Sequence, residues 1–140
     1  MLTEQAQGYR FMESLPKGNE TILLVDDEEL VIDIGQRMME MLGYTVIVAR
    51  SGQQAVETFK EEPERFFLVI LDMIMPEMDG GQTYARLQEI QPDVRVVLTS
   101  GYGLDTQTQE VIDKGCKGFL KKPFNLEQLS KTLREVLDMP

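Results

Sequence analysis

The chain has 140 residues, a formal net charge of −10, a single cysteine and no histidine. That length holds one sizeable core and is too short for two, and the acidic excess, with no basic run longer than Lys121-Lys122, excludes direct binding to DNA or RNA. The lone Cys116 excludes an internal disulfide and fits a reducing compartment, and without imidazoles any chemistry must run on carboxylates, hydroxyls and lysine.

Residues 1–20 lack the continuous apolar core of an export signal and end in Pro16-Lys17-Gly18-Asn19, which predicts a linker or flexible arm ahead of one domain over 21–138. The longest apolar run, 66–71, is far shorter than the roughly 20 residues a membrane span requires. A soluble, cytoplasmic protein is expected, with no direct membrane contact.

Five short apolar or β-branched runs, 21–25, 44–49, 67–71, 94–98 and 116–120, read as strands. The first, third and fourth are nearly continuous, as in parallel strands covered on both faces. Between them the apolar period changes to that of a helix. Leu30, Ile34, Met38 and Leu42 recur at four-residue steps and define a first helix ended by Gly43. Ser51 caps a second helix carrying Ala55, Val56 and Phe59, which ends before Pro63. Asp79 caps a third, with Tyr84, Leu87 and Ile90 inward, and a mostly polar fourth over 106–113 has only Val111 and Ile112 to hold it, which predicts mobility. Asn125 and Gln128 form a capping box for a last helix with a stripe of Leu126, Leu129, Leu133 and Leu137. This alternation predicts an α/β fold: a five-stranded doubly wound parallel sheet, order 2-1-3-4-5, of flavodoxin-like (βα)5 type.

Ligands of such sheets bind beyond the carboxyl ends of the strands. Those ends carry Asp26 and Asp27, then Asp72, then Ser100, then Lys122 before Pro123. Packed carboxylates repel unless a cation sits between them, and an all-oxygen ligand set suits a hard ion such as Mg2+. Asp26, Asp27 and Asp72 fit that arrangement, with Asp72 as a carboxylate nucleophile for a phosphoryl group and Lys122 as a point charge for a phosphate oxygen.

These pieces, in order, are the acidic pair in LLVDDEE, the setting LDMIMPEMDG, the hydroxyl in LTSGY, and KKPF. Together they resemble the receiver domains of two-component response regulators, and in particular receivers attached to hybrid sensor histidine kinases. The resemblance implies a phosphorelay switch rather than an enzyme, assisting its own phosphorylation and dephosphorylation. By that resemblance Asp72 is the phosphorylated residue, Asp27 a direct Mg2+ ligand, Asp26 a second acid, and Ile74 a backbone-carbonyl ligand. Lys122 holds the phosphate, Ser100 is the switch hydroxyl, and Phe119 the aromatic that swings with it. The implied partner is a sensor histidine kinase or a histidine phosphotransfer protein, and a homodimer is left open.

Phe119 stands where the family often has Tyr, which removes a hydroxyl and puts rotamer coupling in question. Ile74, two residues past Asp72, is apolar where the family often has a polar group, and predicts a long-lived phosphoryl group. Three rivals have weaker support. An aspartate-nucleophile phosphatase wants a second acid at position 74, and a flavin module would find Asp26 to Glu29 repelling its phosphate. A non-phosphorylated interaction domain does not explain why all the site residues are present.

Overall fold

The computed structural model describes residues 3–140. Five parallel strands, β1 (Thr21–Val25), β2 (Thr45–Ala49), β3 (Leu68–Asp72), β4 (Val96–Ser100) and β5 (Gly118–Lys121), lie in the order β2-β1-β3-β4-β5, as the sequence pattern requires. The α-helices among the described residues are α1 (Glu4–Ser14), α2 (Glu29–Met41), α3 (Gly52–Glu61), α4 (Gly80–Ile90), α5 (Thr106–Asp113) and α6 (Leu126–Leu137), with a short 3-10 turn at Pro63–Arg65. Among the described residues no helix is long and apolar enough to cross a membrane.

The unbroken apolar runs are explained by burial on two sides. Along β1, Leu23 and Val25 join one core cluster with Phe59, Tyr84 and Leu87, whereas Ile22 and Leu24 join the other with Met39, Leu129 and Leu133. Along β3, Val69 and Leu71 face the first and Leu68 and Ile70 the second. Each strand thus serves two cores, and the period-two alternation separates partners instead of separating core from solvent.

Local signals start α3, α4 and α6 at the predicted residues. The Ser51 hydroxyl accepts from Gln54 N, and Asp79 with Gln82 and Asn125 with Gln128 form reciprocal capping boxes. Gly43 takes φ +100° after α2, a conformation costly for a residue with Cβ.

Three expectations shift. β4 begins and ends two residues later than 94–98, so that the buried polar residues Thr99 and Ser100 lie within it, and β3 and β5 also start and finish later than expected. The four-residue stripe that marks the first helix is split between solvent and core, with Met38 packing against the second core cluster and Leu42 lying within it. Leu30 is 71% and Ile34 50% exposed, while Ile32, Gly35 and Met39 are the buried face of α2. Residues 4–14 of the expected arm are helical, and Leu15 enters the core.

Candidate functional site

Parallel strand order brings the carboxyl ends of β1, β3, β4 and β5 to one edge. The chain leaves β1 at Asp26, whose N–H donates to Ala49 O of the neighbouring strand end at 3.2 Å. Glu28 N donates back to Asp26 Oδ1 at 3.0 Å, which turns the backbone into α2 and holds the Asp26 side chain inward. β3 delivers Asp72 as its last residue. The loop after it is fixed from two sides: Met73 N donates to Thr99 O at 2.9 Å, and Gly80 N to Met73 O at 2.8 Å. A Cβ on Gly80 would lie 2.7 Å from Asp72 O and from Met73 Cα, so only glycine lets the start of α4 approach this closely.

From the opposite side, Lys122 N donates to Ser100 O at 2.9 Å, carrying the β5 exit across the end of β4. The Lys122 ammonium stands 3.0 Å from Asp26 Oδ2, 3.3 Å from Asp72 Oδ1 and 3.7 Å from Glu28 Oε1. Asp26 and Asp72 are buried, whereas Asp27 and Glu28 are exposed at the rim. Asp26, Asp27, Glu28 and Asp72 each present a carboxylate oxygen within 4.8 Å of the others.

One ammonium does not balance this charge. Burial, and then the neighbouring Asp26, push the Asp72 carboxyl up to about 6 against the opposing pull of Lys122 and the Ile74 N–H. Burial disfavours the charged form of Lys122, but Asp72 and Asp26 outweigh it and raise its pKa. Lys122 is therefore a fixed cation and Asp72 an acid under strain, and a site with this imbalance accommodates further positive charge bound through oxygens.

The predicted residues Asp26, Asp27, Asp72 and Lys122 thus converge. Ile74 follows directly in the loop, its N–H 3.4 Å from Asp72 Oδ1 and its side chain exposed. Ser100 is buried one strand away, its Oγ accepting from Tyr102 N at 3.1 Å. Phe119 lies further from the edge: it pairs in register with Leu98, and its half-buried ring packs against the core cluster of Leu71 and Leu98.

Glu28 and Gly80 are site residues that the sequence did not single out. Glu28 sat within the run DDEE, where acids before a helix have an ordinary role at its positive end, and its neighbour Glu29 instead pairs with Arg50. A cleft of about 440 Å³ opens beside the acids, walled by Ile34, Met38, Ile74, Tyr102 and Phe124.

Comparison with known proteins agrees with this geometry. The response regulator receiver domain family matches residues 22–134. The sensor kinase CckA of Brucella abortus (strain 2308) is 39% identical over 121 residues, 86% of this chain and 13% of the kinase. The chemotaxis protein CheY of Bacillus subtilis (strain 168) is 34% identical over 117 residues, covering 80% of this chain and 96% of that protein. A response regulator receiver domain from Clostridium thermocellum superimposes with a TM-score of 0.81 at 25% identity, over 85% of this chain and 94% of that one. The chain spans a small fraction of the kinase relative and almost all of the chemotaxis one. With an acid pocket at the predicted sheet edge and a family match across nearly the whole folded body, the chain belongs to the response regulator receiver domains of two-component systems.

Proposed function

We propose that this chain is a phosphoacceptor switch in which the Asp72 carboxylate takes a phosphoryl group from a phosphohistidine on a sensor histidine kinase or a histidine phosphotransfer protein. An Asp72 oxygen attacks phosphorus, the N–P bond breaks, and its electron pair returns to the imidazole nitrogen, which takes up a proton. The carrying observation is the single ammonium of Lys122 placed between Asp72 and Asp26, 3.3 and 3.0 Å away. A cation so held attracts an incoming phosphoryl oxygen and orients it for Asp72.

The acids fit Mg2+: four carboxylates converge, and the raised Asp72 carboxyl marks unbalanced negative charge. Asp26, Asp27 and Asp72, with the Ile74 carbonyl, would hold the ion, whose positive charge offsets that of the phosphoryl oxygens. Ser100 would turn its hydroxyl toward the new phosphate, with Phe119 following. The donor docks over the open cleft beside Asp72, in the cytoplasm, with no direct role for nucleic acid or membrane. Turnover of unrelated phosphomonoesters is not expected, since Ile74 stands where a phosphatase of this chemistry carries its second acid.

Intact-mass measurement after incubation with Mg2+ and acetyl phosphate tests the assignment. One added phosphoryl group, absent without Mg2+ and absent in Asp72→Asn, is the expected result. Equal mass gain in wild type and Asp72→Asn, or steady release of phosphate from unrelated monoesters, would refute it.

A further inference from the structure

The segment between α1 and β1 is seated on the domain by specific contacts. Leu15 shares the apolar cluster of Leu129, Leu133 and Val136. The buried Ser130 Oγ donates to Pro16 O at 2.6 Å. Arg134 donates to Lys17 O at 3.3 Å and grips Glu20 with two nitrogens at 2.9 and 3.1 Å. Gly18 N donates to Leu42 O at 3.1 Å, and a Cβ on Gly18 would collide with Tyr44 and Arg134.

Lys17 joins this seat to the helix before it. Its ammonium donates to Met12 O and Glu13 O, at 2.9 and 3.1 Å, and so caps the last turn of α1 while its own carbonyl is held by α6. The seat is also joined to the phosphoacceptor edge. Asn125, the N-cap of α6, follows Lys122 by three residues, and the intervening Phe124 packs against the cluster that contains Leu15.

We propose that residues 15–20 and α6 form a clasp that makes α1 a lever responsive to the state of Asp72. This rests on the reading of Asp72 as the phosphoryl acceptor. An added phosphoryl group draws the Lys122 ammonium away from Asp26 and Glu28, the short β5–α6 connection passes that shift to α6, and Ser130 and Arg134 pass it to Pro16, Lys17 and the end of α1. Coupling of this kind shows in the opening equilibrium of α1 itself.

Hydrogen exchange of the full chain, with and without Mg2+ and acetyl phosphate, reads that equilibrium, with intact mass recorded on the same samples. In the wild type, exchange over residues 4–18 changes by about fivefold or more on phosphorylation, the low end of a typical coupling. In Ser130→Ala/Arg134→Ala, phosphoryl uptake is retained and the difference over 4–18 disappears. Phosphorylated wild type with unchanged exchange there overturns the lever alone, as does a double variant that keeps the wild-type difference. An unchanged wild-type mass overturns the reading of Asp72 and the lever with it.

Discussion

The Lys122 ammonium lies 3.3 Å from Asp72 Oδ1, with the two side chains only 13% and 3% exposed. Removing this ammonium leaves both Asp72 and Asp26 as buried, uncompensated carboxylates, at a cost of about 3–5 kcal/mol, whereas Lys122 keeps Asp26 as a partner when the Asp72 charge is removed. Lys122→Met should therefore lower the urea midpoint sharply in metal-free buffer. Adding Mg2+ should recover part of the loss, because a divalent ion replaces the missing charge.

Asp72 sets a pH dependence of unusual sign. Its carboxyl is raised from 3.8 to about 6, so between those values the folded state holds the proton that the unfolded chain has released. Stability therefore falls as pH rises through this window, and the penalty, about 3 kcal/mol, is complete above about pH 6. Asp72→Asn removes the penalty. In metal-free buffer it should be more stable than wild type at about pH 8 and no more stable below about pH 4. Denaturation midpoints across that range provide the check, and phosphoryl uptake at limiting Mg2+ should fall as Asp72 gains its proton.

Gly80 allows the start of α4 to press on the Asp72 backbone, where a Cβ would stand 2.7 Å from the carbonyl oxygen. Gly80→Ala must move one of the two. It should cost about 1–3 kcal/mol of stability, as overpacking does, and slow phosphoryl uptake under conditions where the fold is intact by circular dichroism. Unchanged uptake would mean that the loop adjusts without displacing Asp72.

The two apolar stripes of α2 should respond differently to truncation. Ile32→Ala empties a core position and should cost about 2–5 kcal/mol, whereas Leu30→Ala, at a site 71% exposed, should stay within about 0.5 kcal/mol. Urea denaturation of the pair distinguishes them directly.

That contrast shows what the sequence could and could not reveal. Asp26, Asp72 and Lys122 were legible because strand runs end on them and a parallel sheet gathers such ends. The inner face of α2 was not, because its centre is Gly35, which packs closely enough that an added Cβ would lie 3.4 Å from Leu24 yet carries no apolar side chain to mark the stripe. Leu30, Ile34, Met38 and Leu42 gave the stronger periodicity, yet only Met38 and Leu42 of these reach the core. Polar composition likewise cut β4 short at 98, although Thr99 and Ser100 are buried. Pro16 to Glu20 read as a linker for a related reason: backbone carbonyls and one ion pair hold them, and neither leaves an apolar pattern.

Ile74 offers a kinetic test. Its side chain is exposed beside Asp72 and cannot hydrogen-bond a water molecule. The phosphoryl group should decay more slowly in wild type than in Ile74→Asn, measured by intact mass after the phosphodonor is removed. Faster decay in the wild type would oppose the sequence-based expectation of a long-lived phosphoryl group.

The hydrogen bond from Lys122 to Asp26 joins residues 96 positions apart, and between them the chain must lay down every other strand of the sheet. No partly zipped intermediate lacking β5 can hold this Lys122–Asp26 contact, so the complete pocket belongs to the fully formed sheet. Under denaturant, the loss of uptake should track the global unfolding curve, making reactivity itself a gauge of cooperative assembly.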